Sequence, residues 1–179
     1  FRSTGLKWGS PAASGLTLIT TQTLSGVTSQ SVNNCFSSTY NNYLLVLNAY
    51  CATSDGSPTL KLRASGTDSS TGYYGAVWIN NFSNGSTGND YQNNEGNWRM
   101  RMFGELTTST TNSGGSFVQL YNPFNAAVTS YSAPYLKSTT TGSIGFTGGM
   151  HNVATSYDGF TITNGTAMTG TLRVYGLAN

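Results

Sequence analysis

Alternation of apolar and polar positions is clearest in TLKLRA (residues 59–64). Leu60, Leu62 and Ala64 fall on one side of a strand there, and Lys61 and Arg63 on the other. The same period of two runs through WRMRMF (98–103), setting Trp98, Met100 and Met102 against Arg99, Arg101 and Phe103. YLLVLNAYC (43–51) differs, because its apolar run from Tyr43 to Leu47 is nearly continuous and predicts an inner strand covered on both faces. Such runs recur between clusters of Gly, Ser, Asn and Pro at the spacing of a sandwich or barrel. The predicted strands are 16–23, 31–36, 43–51, 59–64, 73–80, 98–106, 116–121, 129–136, 143–150, 159–163 and 170–175. The expected fold class is therefore all-β, an antiparallel, jelly-roll-like β-sandwich of about ten to eleven strands.

Two polar stretches break the pattern. NNFSNGSTGNDYQNNEGN (80–97) reads as a long Gly- and Asn-rich surface loop, and TTSTTNSGG (107–115) as a shorter one. Loops of that length inside a domain are generally functional or mobile, since their backbone polar groups must be satisfied by water or a partner.

Composition sharpens this picture. Ser and Thr together number 50 of 179 residues, with 22 Gly and only 8% charged residues, too few helix formers to cover helical surfaces. Aliphatic residues are sparse, and 11 Tyr, 8 Phe and 3 Trp give the core large apolar pieces, of which Tyr and Trp can leave a polar tip near the surface. A net charge of +2 is too weak for nucleic-acid binding or docking on an anionic membrane, both of which need clustered Lys and Arg. No apolar stretch approaches the roughly 20 residues of a membrane span. Cys35 and Cys51 read as two buried free thiols, with a single disulfide as the alternative. The chain has no initiating Met and is read as a fragment or processed piece, with one domain at 15–179 preceded by a short leader at 1–14.

The chemistry-bearing residues are few. Any Ser-His-Asp triad must use His151, the single histidine, and no GxSxG elbow accompanies it. The six carboxylates are Asp55, Asp68, Asp90, Glu95, Glu105 and Asp158, and each reads better as structural or solubilising than as catalytic. A glycosidase would need two of them across one groove at roughly 5 to 10 Å. In HNVATSYDGFTI (151–162), His151 is expected at the rim of a strand end. Asp158 is expected to accept N–H bonds within its own bend, before Phe160 and Ile162 turn inward. Zinc spacings are lacking, and an oxygen-rich calcium loop around Asn89, Asp90, Asn94 and Glu95 is a weak signal. No catalytic residue, metal or cofactor is assigned.

Recognition by a surface remains. Tyr73, Tyr74, Trp78, Tyr91, Asn93, Asn94 and Trp98 cluster in sequence around the 80–97 stretch, and exposed rings can stack on sugars while amides pair with hydroxyls. Trp78 and Trp98 are read as buried. The candidate ligand-binding residues are Tyr74, Asp90, Tyr91, Asn93 and Asn94.

Four segments together carry a resemblance. They are GLTLITTQTLSGVTSQSVNNCFSSTYNNYLLVLN (15–48), LKLRASGTDSSTGYY (60–74), SYDGFTI (156–162) and GTAMTGTLRVYG (165–176). The chain resembles a domain common in tailed bacteriophages, including marine and cyanobacterial phages, usually found near the C-terminus of tail-fibre or other virion structural proteins. The likeness covers 13–61, RASGTD and 155–176, whereas 80–141 is similar only in character. STGLKWGSP (3–11) is similar to the last unit of the shaft repeats that precede such domains, with 12–15 as the joint. The resemblance implies a homotrimeric fibre head on the surface of the virion, made in the host cytoplasm, that contacts other virion proteins and attaches to a bacterial surface glycan. It implies neither nucleic-acid binding nor membrane insertion. A capsid decoration or head-fibre protein that binds other coat proteins is the alternative within the virion, and a capsule-degrading glycosidase is the enzymatic alternative.

Overall fold

A computed structural model describes residues 15–99, 101–108, 114–139 and 141–178. The leader at 1–14 and the centre of the 107–115 stretch lie outside the described residues. Ten strands run through the rest: β1 (Leu16–Val32), β2 (Asn42–Cys51), β3 (Thr59–Ala64), β4 (Thr67–Asp68) and β5 (Tyr73–Asn81), followed by β6 (Thr87–Glu95), β7 (Gly114–Tyr121), β8 (Thr129–Lys137), β9 (Ser143–His151) and β10 (Gly159–Leu177). No helix occurs among the described residues. The fold is all-β and antiparallel, a curled sheet of the β-sandwich or jelly-roll type.

The frame of the sheet is the pairing of its first and last strands. β1 lies antiparallel to β10 from Leu16 opposite Leu177 to Val32 opposite Phe160. The other edge of β10 is shared, with residues 159–163 pairing with β3 and 168–177 with β2. From β2 the sheet continues through β7, β8, β9 and β5 to the edge strand β6. Curling brings its two ends back together: Trp98, just past β6, bridges to Leu60 of β3, and the Tyr73 hydroxyl accepts the Leu62 N–H at 2.8 Å.

The period of two decides which face is buried. In β2, Tyr43, Leu45, Leu47, Ala49 and Cys51 point inward, meeting Val118 and Leu120 of β7 and Leu172 and Val174 of β10. In β3, Leu60 and Leu62 do the same, as the alternation predicts. Gly170 allows β10 to lie close against β2: at φ 151° it occupies a conformation side chains rarely adopt, and a Cβ there would meet the Asn48 carbonyl and Ala49.

Several expectations are corrected. Segment 16–23 and the first two residues of 31–36 belong to one strand, β1, while 33–36 lie beyond its end and are not strand, and segments 159–163 and 170–175 belong to another, β10. Their polar middles, SGVTSQ and NGTAMT, pass through bulges instead of turns, and register shifts flank Val27. Met100 lies outside the described residues, and the described remainder of 98–106 is not a strand: Arg101 at φ 54° and Gly104 at φ 71° turn the chain, so Met102 and Phe103 are both buried instead of alternating. The 80–97 stretch is mostly strand, comprising the end of β5, a turn and β6. β2 is covered on one face only, since Leu44 and Val46 on its outer side are half-buried.

Candidate ligand-binding site on the outer sheet face

The β5–β6 hairpin is closed by its own polar residues. The Asn81 N–H donates to the Ser86 carbonyl at 2.9 Å, the Asn84 side chain accepts the Ser86 N–H at 2.9 Å, and Gly85 supplies the positive φ. β6 then runs along the sheet edge almost wholly exposed, anchored by one buried side chain. The Gln92 amide donates to the carbonyls of Asn97 at 2.7 Å and Tyr73 at 3.3 Å, and its oxygen accepts the Arg99 N–H at 3.0 Å. Asn residues, poor strand formers in isolation, are held in a strand here by pairing with β5.

On the outer face of this hairpin the pairing lines up aromatic residues. Trp78 of β5 stands opposite Phe146 of β9, and Ala76 lies between Gly148 of β9 and Tyr91 of β6. Trp78, Phe146 and Tyr91 are 52%, 57% and 73% exposed, unusually high for side chains that gain most from burial. Together with Asn89 and Asp90 they line an open hollow of about 680 Å³ with Ala76 and Gly148 in its floor, within the range of small-molecule sites. Trp78 also borders a smaller hollow of about 180 Å³ with Thr87, Gly88 and Asn89.

Of the five residues expected at a site, the hollow takes two, Asp90 and Tyr91. The Asp90 carboxylate is already engaged, accepting the Tyr91 N–H at 2.8 Å and lying 3.8 Å from the Arg99 guanidinium, which also meets Glu95 at 3.6 Å. Asn94, exposed and at φ 55°, accepts the Gly72 N–H at 3.1 Å and the Thr71 hydroxyl at 3.3 Å, a scaffold role. Asn93 is exposed on β6 and Tyr74 is half-buried opposite Met150, and neither lines the hollow. Trp78 corrects the expectation of burial, whereas Trp98 meets it: its indole N–H lies within reach of the Tyr74 and Met150 carbonyls, at 3.2 and 3.3 Å. Alternation in AVWIN contained the signal for Trp78, because a buried Val77 forces its neighbour outward. Phe146 and Gly148 are brought in by long-range pairing that no local pattern announces.

The remaining chemistry is engaged in holding the fold. His151 ends β9, but in the core and not at the rim, in edge contact with Tyr73, Trp98 and Tyr157 at ring-centre distances of 4.2, 6.2 and 5.3 Å. Its Nδ1 accepts the Val153 N–H at 3.4 Å, which places the neutral ring's proton on Nε2, 3.0 Å from the Ser69 hydroxyl. Burial lowers its pKa. Asp158 accepts the Ser65 N–H at 3.0 Å, a bond to the β3–β4 turn instead of its own bend, while its carbonyl receives the N–H groups of Cys35 and Phe36. Asp68 meets Arg63 at 2.5 Å, and Lys137 meets Glu105 at 2.6 Å and Asp55 at 3.4 Å. Cys35 and Cys51 are free and buried, and burial pushes the Cys35 thiol up to about 12.

No family model, curated protein or solved structure matches the chain.

Proposed function

We propose that this chain is a bacteriophage virion structural protein, the distal head domain of a homotrimeric fibre, and that it recognises a bacterial surface glycan without performing catalysis. The phage assignment is supported by the resemblance carried by residues 13–61 and 155–176. The observation that carries the recognition reading is the exposed aromatic hollow of Trp78, Tyr91 and Phe146. A fold with so few large aliphatic residues leaves three aromatic rings in water at one spot, beside an amide and on a rigid sheet. Rings in that setting stack on the C–H faces of sugars.

The test is attachment. Trp78→Ala and Tyr91→Ala remove surface side chains, so both variants are expected to stay folded while binding to host cells, or to an array of bacterial surface polysaccharides, falls about tenfold or more. Attachment equal to that of the unchanged protein in both variants would refute the recognition reading.

A second reading has its own support. The outer face stays apolar beyond the hollow: Ile144 pairs with Leu136, and Phe117 and Met150 are also exposed. A sheet face of that character suits a capsid decoration or head-fibre protein seated on other coat proteins.

A further inference from the structure

We propose that the hollow is a subsite for one uncharged pyranose ring and that Gly148 with Ala76 sets its depth, an inference that rests on the glycan-binding reading. Three glycines of β9 can be compared. A Cβ on Gly145 would meet the Trp78 carbonyl, and one on Gly149 would meet the Tyr74 carbonyl and, at 2.7 Å, the Tyr131 ring, so packing demands glycine at both. At Gly148 a Cβ would meet nothing nearer than the Tyr131 carbonyl at 3.4 Å and a Phe146 ring carbon at 3.8 Å, which is ordinary contact, and its φ is not in the left-handed region. Neither packing nor backbone conformation requires glycine there. What the missing side chain does is keep the floor of the hollow open, and its partner across the ladder, Ala76, carries the shortest side chain an L-residue can have.

The walls fix the chemistry of the occupant. Trp78 and Phe146 form one side and Tyr91 another, presenting ring faces and edges, while Asn89 supplies an amide. Among the described residues the lining contains neither Lys nor Arg to receive a carboxylate, sulfate or phosphate, and its one acid, Asp90, accepts the Tyr91 N–H and lies 3.8 Å from Arg99. A neutral pyranose matches this set, with an apolar C–H face for the rings and hydroxyls for the amide. The smaller hollow on the other side of Trp78 lies where a linked sugar would continue.

The experiment titrates the methyl glycosides of glucose, galactose, mannose and N-acetylglucosamine, and methyl glucuronide, against the full chain, by saturation-transfer NMR and calorimetry. Trp78→Ala, Gly148→Val and Phe117→Ser are compared with the unchanged protein, and thermal melts check that each is folded. The expected result is binding of at least one neutral glycoside in preference to the glucuronide, weakened about tenfold or more by Trp78→Ala and by Gly148→Val and changed less than about twofold by Phe117→Ser. A preference for the glucuronide overturns the assignment of an uncharged ligand. Sugar binding that survives both Trp78→Ala and Gly148→Val overturns the subsite but leaves glycan recognition standing at another surface. An unchanged protein that binds none of these sugars and no polysaccharide on the array overturns both.

Discussion

Among single residues, His151 has the most informative environment. Its ring touches Tyr73, Trp98 and Tyr157 and is closed off from water, so protonation would place a charge where only neutral partners wait. Burial is the main cause of its lowered pKa, opposed by backbone groups of Thr71 and Val153. The unfolded chain, with an ordinary histidine near 6.5, therefore binds the proton more readily than the folded one. The contribution of His151 to stability is complete above that value and is lost as pH falls through it towards the lower folded pKa. Urea midpoints measured between pH 8 and 5 should drop below about pH 6.5, and His151→Gln, which keeps an amide donor for Ser69, should flatten that drop. A profile in the variant as steep as in the unchanged protein would assign the slope to the carboxylates instead. Little of this was legible beforehand: a lone histidine at a strand end looks like a rim residue until long-range pairing closes Tyr73 and Trp98 around it.

At the scale of elements, alternation was a reliable guide wherever one face is dry. TLKLRA showed its buried face directly because Leu60 and Leu62 alternate with cations. It failed where pairing overrides local preference. β1 and β10 hold polar, Gly-containing middles in strand because each stabilises the other along nearly its whole length. β6 is the extreme case, TGNDYQNNE, whose composition reads as loop and whose geometry is set by β5. Gln92 is its one buried anchor, and two donor contacts and one acceptor contact converge there. Gln92→Ala leaves the Asn97 carbonyl and the Arg99 N–H without that partner and should cost about 1–3 kcal/mol. Hydrogen exchange should then speed up in residues 87–95 while the β5–β9 ladder keeps its protection, and binding at the hollow should weaken because Tyr91 rides on β6. Uniform acceleration across the sheet would mean that β6 is not an independent unit.

For the molecule as a whole, the outer sheet face poses the main physical question. The inner face consumes most of the large side chains, yet Phe117, Leu136, Ile144 and Met150 remain in water outside the hollow, on a chain with only 8% charged residues to keep it soluble. The proposed homotrimer offers a way to cover them, since burial of exposed apolar area between copies stabilises each copy in proportion to assembly. If these residues lie between copies, Phe117→Lys or Ile144→Lys places an ammonium in the contact and should convert a trimer into a monomer at the same concentration, read by sedimentation velocity. Trp78→Ala should leave the mass unchanged while reducing sugar binding, because the proposed ligand and the proposed contact use different parts of the face. A trimer indifferent to both lysine substitutions would move the contact to β1, which pairs only with β10 among the described residues and whose Leu16 and Leu18 are exposed. An unchanged protein that sediments as a monomer at tens of micromolar would refute the trimer. The apolar face would then have to be covered by a different protein, which is what the coat-protein reading requires.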